Sequence, residues 1–324
     1  MQGSGLRRGF RVSEKRRAPF VRILVVVNLK SGGSDAGLYD FARLLGSEGA
    51  EVTMRFAGPN APIEKLVEDA SSFDRVVAAG GDGTVSAVCH ATSGCGVPVL
   101  VYPAGTANLL ALNLGLPLDA PALADALLNG SPVAFDLGEL QHPLPQGGYE
   151  RTGFTIAAGA GYDAAIMESA VPMKATFGAA AYLLAAMGNI APTHSEFELV
   201  LDGEHVTTDG MAVLLVNFGR IQFDLALTHS WDPRDGLFDV AVIRTRNVAE
   251  LIPSVLAAMA DRIGEYPSRG PIDVYQAATV EVSAYPPLRI QSDGDSLDAL
   301  TPFAACVLPG AATLIVPPKS PFAG

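Results

Sequence analysis

The stretch Ala78-Ala79-Gly80-Gly81-Asp82-Gly83-Thr84 decides how this chain is organised. Residues 73–77 before it predict a strand that enters a core, and residues 85–91 after it predict the first turns of a helix. A strand, a glycine turn and a helix together present backbone N–H groups to an anion. The glycines let phosphate approach the backbone because no Cβ stands in the way. We therefore expect a phosphate-binding turn, in which Thr84 caps the helix or contacts phosphate and Asp82 holds a cation or orients the turn.

Strands and helices alternate through the first 130 residues. Because this spacing is typical of a parallel, doubly wound sheet, we predict an α/β domain. Ligands of such sheets lie outside the carboxyl ends of the strands. Three glycine-polar loops each follow a predicted strand, so we expect all three at one edge of the sheet. The predicted strands cover residues 21–28, 51–56, 74–79 and 97–102, and the predicted helices cover 36–47, 61–70 and 120–129.

The pattern changes after Gly130, where short strands are separated by turn residues and Asp202-Gly203 is a hairpin signal. We predict a mostly antiparallel second domain, a β-sandwich. The predicted helices here are few. The apolar one is broken by glycine and proline, so we expect a buried or groove-lining helix and not a membrane span. These helices cover residues 162–169, 175–188 and 248–263. The predicted divisions are a basic, disordered head (1–20), a nucleotide-binding domain (21–132), a β-rich substrate and catalytic domain (133–310) and a tail (311–324).

Charge and cysteine content limit the class of protein. The formal net charge of −12 argues against a nucleic-acid partner. Three cysteines without a CxxC pair are typical of the reducing cytoplasm. The first 22 residues contain seven basic groups and one acidic group, which indicates either a solvated tail, the reading we favour, or an electrostatic tether to anionic lipid. Neither a P-loop motif nor a dinucleotide-binding glycine motif is present.

Four motifs in order resemble the diacylglycerol kinase catalytic domain, which sphingosine kinases and bacterial YegS-like lipid kinases share. They are Asn28-Leu29-Lys30-Ser31-Gly32-Gly33, Gly80-Gly81-Asp82-Gly83-Thr84, Pro103-Ala104-Gly105-Thr106-Ala107-Asn108 and Asp293-Gly294-Asp295. The resemblance implies an ATP- and Mg²⁺-dependent kinase that phosphorylates a lipid hydroxyl. Such an enzyme is cytoplasmic and binds the membrane surface when it acts. The resemblance also implies that the segment past about residue 311 returns to the first domain.

The three loops of the first domain supply the candidate nucleotide ligands. Glycine amides and Ser, Thr and Asn side chains suit phosphate oxygens, and phosphoryl transfer requires such a cradle. The candidates are Asn28, Ser31, Gly32, Gly80, Gly81, Asp82, Gly83, Thr84, Gly105, Thr106 and Asn108.

The second domain supplies the candidate acids. By resemblance to the family's D-G-E, Asp293 and Asp295 are candidates to accept the hydroxyl proton or to hold magnesium. We favour Asp293, with Asp295 close behind because it replaces the family's Glu and has a shorter reach. By resemblance to the family's D-x-x-D-G segment, Asp232, Asp235 and the Leu237 carbonyl are candidates for a structural Mg²⁺ site, against the alternative of a plain acidic turn.

Several positions depart from the family pattern. Ser86 and Ala87 replace an Asn-Glu pair, Leu109 and Leu112 replace an Asp and an Arg, and Leu29 replaces a proline. The phosphate loops remain while the polar groups around them are fewer. Two alternatives therefore stay open: a kinase of a soluble substrate related to NAD kinases, and a nucleotide-binding regulator with little catalysis. The identity of the lipid and the choice between monomer and homodimer also stay open.

Overall fold

The computed structural model describes residues 21–28, 35–58, 60–161, 193–221, 225–226, 232–245 and 272–323. The predicted basic head and the predicted helices over 162–169, 175–188 and 248–263 lie outside these ranges. Within them, no helix is long and apolar enough to cross a bilayer.

The first domain is the predicted α/β unit. Its central strands are almost wholly apolar and buried, and they pair in parallel in the order β2-β1-β3-β4, so the prediction of a doubly wound parallel sheet is confirmed. The strands are β1 (Arg22–Asn28), β2 (Glu51–Ala57), β3 (Arg75–Gly80) and β4 (Val99–Pro103). The helices are α1 (Asp35–Ser47), α2 (Ile63–Leu66), α3 (Asp82–Ala91), α4 (Leu109–Leu114) and α5 (Ala120–Asn129).

Helix α2 is shorter than the sequence pattern predicts. The guanidinium of Arg55 donates to the Leu66 carbonyl at 2.7 Å and to the Asp69 carboxylate at 2.8 Å. A continuing helix would need that carbonyl to accept an N–H from the next turn. The chain instead forms a short 3₁₀ turn at Ala70–Ser72. A side chain from β2 therefore ends the helix, which local periodicity could not indicate.

The second domain is antiparallel, as predicted. Its strands are β5 (Ser131–Pro143), β6 (Tyr149–Phe154), β7 (Ala157–Ala160), β8 (Ser195–Leu201), β9 (Glu204–Gly210), β10 (Ala212–Val216), β11 (Arg220–Ile221), β12 (Leu225–Ala226), β13 (Phe238–Ile243), β14 (Ile272–Ala277), β15 (Thr279–Tyr285), β16 (Arg289–Ser292), β17 (Asp295–Leu300) and β18 (Phe303–Val316). One sheet continues the parallel strands in the order β4-β18-β15-β8-β9, with β5 attached to β18 and β6 attached to β5. A second sheet, in the order β14-β13-β10-β7-β16-β17, faces it across a shared hydrophobic core, and β11 and β12 form a separate two-stranded sheet.

Two long strands, β5 and β18, join the two domains. They pair with each other along almost their whole length, with a shift in register between Leu308 and Ala312. One end of β18 pairs with β15, and at the other end Leu314 lies beside Val99 of β4 in parallel. The hydrophobic cores of both domains pack against this ribbon, one through Phe135 and the other through Leu140. The ribbon thus sets the two domains side by side.

Candidate active site

The loops after β3 and β4 touch each other at the carboxyl edge of the sheet. Ala104 N–H donates to the Gly80 carbonyl at 3.1 Å. A Cβ on Gly105 would lie 2.5 Å from the Cα of Gly81, so only glycine fits there. This approach brings two of the three predicted phosphate loops together. Of the third loop, Asn28 is described, while Ser31 and Gly32 lie outside the described residues.

Asn28 and Thr84 link the first strand to the organising turn. The Asn28 side-chain amide donates to the Thr84 hydroxyl oxygen at 2.8 Å. Thr84 lies in the first turn of α3 and does not cap it, since the N-cap residue is Gly81 and has no side-chain bond. Because Thr84 accepts from Asn28, its own hydroxyl proton can be donated to a ligand. The first N–H groups of α3 emerge at the same place, where a helix attracts anions.

Asn108 shapes the loop after β4 from within. It adopts a left-handed conformation with φ 51° and precedes α4. Its side chain accepts from the Gly105 N–H at 2.8 Å and donates to the Gly105 carbonyl at 2.9 Å. The Gly105 amide and the Asn108 side chain are therefore used inside the loop, and Thr106 lies between them.

Asp82 connects the starts of two helices. Its carboxylate accepts from the Leu110 N–H at 3.2 Å, at the beginning of α4. Burial raises the pKa of Asp82, and backbone N–H groups of residues 108–110 act in the opposite direction. The sequence left two roles open for Asp82, to hold a cation or to orient the turn, and these contacts support the second role.

Asp293 lies in the turn between β16 and β17, and backbone N–H groups occupy its carboxylate. One oxygen accepts from Thr155 N–H at 2.8 Å, and the other accepts from Ile156 and Ala157 N–H at 2.7 and 3.1 Å. Its own N–H donates to the Ala157 carbonyl at 2.8 Å, with φ at 47°. Burial raises the pKa of Asp293 to about 6 against the effect of these bonds. This carboxylate fastens the acidic turn to the segment that precedes β7.

Asp295 has a different environment, two residues further on. It is exposed at the start of β17, and a Cβ on Gly83 would lie 3.2 Å from its Oδ2. Its carboxylate accepts no hydrogen bond from the described residues. The acid that faces the phosphate turn from the second domain is therefore Asp295, although the sequence reasoning placed Asp293 first.

The predicted magnesium turn is held by other contacts. Both Asp232 oxygens accept from Arg234, at 2.7 and 3.0 Å, and Asp235 accepts from the Leu237 N–H at 2.9 Å. The residue types suit Mg²⁺ because all three offer oxygen. In this structure the Arg234 guanidinium occupies both oxygens of Asp232, so the magnesium site stays a prediction. The described part of the chain contains no cluster of three or more His, Cys, Asp or Glu residues suited to a metal.

Sequence reasoning missed two buried polar residues that brace the site. Asp136, in β5, accepts from Gly236 and Gly310 N–H at 2.8 and 2.7 Å and so ties the turn at residues 232–237 to β18. The Asn217 amide donates to the carbonyls of Asp136 and Thr155 at 2.8 and 2.9 Å. Asp136 interrupts the apolar run 133–137 of β5, and Asn217 directly follows the apolar strand β10. That signal was available in the sequence because buried polar groups need partners.

Comparison with known proteins identifies the family. The diacylglycerol kinase catalytic domain matches residues 22–140, and the YegS C-terminal NAD kinase beta sandwich-like domain matches residues 156–316. A Bacillus subtilis diacylglycerol kinase is 30% identical over 229 residues, which are 69% of this chain and 71% of that protein. The chain belongs to the diacylglycerol kinase family. It is therefore a phosphotransferase with an alcohol group as acceptor.

Two further relatives agree with this assignment, and two solved structures share the fold. A Mycobacterium tuberculosis diacylglycerol kinase is 29% identical over 70% of this chain and 72% of its own length. A probable YegS-like lipid kinase of Klebsiella pneumoniae is 26% identical over 93% of this chain and 98% of its own length. A putative Bacillus anthracis diacylglycerol kinase shares the fold, with a TM-score of 0.71 and 18% identity over 93% of this chain and 99% of that one. Yeast NADH kinase shares it at a TM-score of 0.53 and 12% identity, over 93% of this chain and 84% of that one.

Proposed function

We propose that this kinase transfers the γ-phosphate of MgATP to the hydroxyl of a diacylglycerol-like lipid. The observation that carries the proposal is the position of Asp295, an exposed acid of the second domain that faces Gly83 in the phosphate turn of the first. A transferable phosphate on the turn and an acceptor hydroxyl at the acid would then meet across one gap. A lipid acceptor places the reaction at a membrane surface, which the enzyme approaches from the cytoplasm.

The first domain holds the nucleotide in this proposal. The N–H groups at the start of α3 and the Thr84 hydroxyl bind phosphate oxygens, and Asn28 orients that hydroxyl. Gly80, Gly81 and Gly105 keep the two loops in contact, and Asn108 keeps the second loop closed around Thr106. Ser31 and Gly32 complete the cradle from the third loop. Phosphoryl transfer depends mainly on such positioning and on charge stabilisation.

The second domain supplies the base. Asp295 accepts the proton of the acceptor hydroxyl. The hydroxyl oxygen attacks the γ-phosphorus, and ADP leaves. Asp293 is the weaker candidate for this step, because three backbone N–H groups already occupy its oxygens. In our proposal it positions Asp295 and does not take the proton.

Magnesium would enter the proposed reaction with ATP, and when bound it would stabilise the negative charge that develops on the transferred phosphate and on ADP. The additional structural magnesium at Asp232, Asp235 and the Leu237 carbonyl stays a prediction, and no step of the reaction depends on it.

ATP consumption measured with different acceptors tests the substrate class. We expect turnover with micelles that contain diacylglycerol, and we would compare phosphatidylglycerol, a sphingoid base and NAD at equal concentration. Turnover with NAD alone would favour the soluble-substrate kinase, which the fold shared with yeast NADH kinase keeps in consideration. ATP binding without turnover on any acceptor would favour the regulator.

Replacing the proposed base tests the mechanism. Asp295→Asn keeps the size of the side chain and removes the charge, so lipid turnover should fall about 10²- to 10⁴-fold, the usual range for general-base catalysis. ATP affinity by calorimetry should stay unchanged because the phosphate turn is intact. Asp298→Asn is the matched control, an exposed acid on the same strand that should keep wild-type turnover. Wild-type turnover in Asp295→Asn would exclude this residue as the base.

A further inference from the structure

A buried pair of hydroxyls connects the two domains behind the acidic turn. Thr155, directly after β6, donates through Oγ1 to Ser86 Oγ of α3 at 2.9 Å. The Thr155 N–H in turn donates to the Asp293 carboxylate at 2.8 Å. Ser86 and Thr155 are buried, at 5% and 2% exposure, so the bond between their hydroxyls does not compete with bulk water. Thr155 therefore links helix α3 to the carboxylate that holds the acidic turn, and the Ser86 hydroxyl also acts to lower the pKa of Asp293.

This chain of bonds runs parallel to the contact at the phosphate turn. Ser86 lies one helical turn after Gly83 on α3, and Asp293 lies two residues before Asp295. The helix therefore reaches the acidic turn at two places: at Gly83, beside the Asp295 carboxylate, and at Ser86, whose hydroxyl is bonded to Thr155, the residue whose N–H holds Asp293. The second place has directional hydrogen bonds, whereas Asp295 itself accepts none from the described residues. The turn that carries Asp295 is thus held through its neighbour Asp293.

We propose that Ser86 and Thr155 are positioning residues, which hold the acidic turn through Asp293 so that Asp295 faces the phosphate turn. This inference rests on the proposed function, because it assigns the pair to the reaction at that site. Ser86 stands where the family pattern has Asn, and in this chain its hydroxyl bonds Thr155 at 2.9 Å. A pair that served packing alone would affect stability and leave the turnover of the folded enzyme unchanged.

Kinetics of hydroxyl deletions separate the two roles. In Ser86→Ala and Thr155→Val the carboxylate of Asp293 keeps backbone N–H partners, so both variants should fold. We expect kcat for lipid phosphorylation to fall about 10- to 100-fold, since a misplacement near 1 Å has an effect of that order. The KM for ATP should stay within about twofold, because the cradle residues are untouched. Thr155→Ser retains the hydroxyl donor and should therefore keep the wild-type kcat. The double variant Ser86→Ala with Thr155→Val should lose no more kcat than the more affected single variant.

Thr92→Val is the matched control. Thr92 is also buried, at the end of the same helix, and its hydroxyl donates at 2.8 Å to the Val88 carbonyl, away from the acidic turn. The Thr92→Val variant should lower the melting temperature as much as the test variants do, while its kcat stays at the wild-type value. If the wild type is active and Ser86→Ala and Thr155→Val have the same kcat as the wild type, the positioning role is overturned but the proposed function is not. A wild type without lipid turnover would overturn the proposed function and this inference with it.

Discussion

Gly105→Ala tests whether the contact between two phosphate loops sets the reaction rate. The added Cβ would lie 2.5 Å from Gly81 Cα, 3.3 Å from Gly81 N and 3.1 Å from the Asn108 side-chain oxygen. The first of these is about 1 Å closer than ordinary van der Waals contact, and the atom that it meets is backbone. Gly105 has no positive φ, so alanine would not strain the backbone conformation, and this steric clash is its only cost. The two loops must therefore separate by about 1 Å to admit the methyl group.

The size of the effect follows from that displacement. A misplacement of about 1 Å costs about 10²-fold in rate, or about 2.7 kcal/mol of transition-state stabilisation. We expect kcat/KM for MgATP to fall by that factor and the free energy of unfolding to fall by about 1–3 kcal/mol, as for other overpacked sites. Initial-rate kinetics over a range of MgATP concentrations and urea denaturation measure the two quantities.

Gly46→Ala is the control for this substitution. Gly46 lies exposed in α1, and a Cβ there would meet nothing within 4 Å. Its kinetics should match the wild type, with stability equal or higher by about 0.5–1 kcal/mol, since alanine favours a helix more than glycine does. A Gly105→Ala enzyme with wild-type kcat/KM for MgATP would refute the claim that this loop contact positions the nucleotide.

Two further predictions concern the acidic residues. Since burial raises the pKa of Asp293 to about 6 from an unfolded value of 3.8, the native state takes up a proton that the unfolded state has lost. The stability of the wild type relative to Asp293→Asn should therefore rise as the pH falls from about 6 to about 4, while lipid turnover falls, because the protonated acid no longer accepts every N–H bond. Urea denaturation and rate profiles at several pH values check both signs. A relative stability that decreases as the pH is lowered from about 6 to about 4 would contradict burial as the cause. If magnesium binds at the turn of Asp232 and Asp235, it must displace Arg234 from Asp232. Arg234→Ala should then enlarge the loss of melting temperature on EDTA addition, and Asp235→Ala should abolish that loss. A full EDTA response in Asp235→Ala would place the cation elsewhere.

The sequence by itself determined most of the fold and the place of the site. Apolar runs and helical spacing depend on neighbours in the chain, so β1, α1, β2, β3 and α5 lie close to where the pattern predicted them. The carboxyl ends of adjacent parallel strands share one edge of a sheet, so order alone predicted that the loops after β3 and β4 would meet. The glycines are predicted to let phosphate approach the backbone, and the structure shows that Gly105 also lets the backbone of Gly81 approach.

Only the tertiary structure decided what each polar residue does. Asp293 and Asp295 differ by two positions, yet the partners of Asp293 are the N–H groups of residues 155–157, which no local pattern connects to residue 293. Asp82 is similar, since its partner is the start of α4 and not the turn in which it lies. The end of α2 is set by Arg55 from another strand. A carboxylate is directed by the donors that reach it, and here those donors come from distant parts of the chain, so their positions exist only once the strands and helices of each domain have packed together.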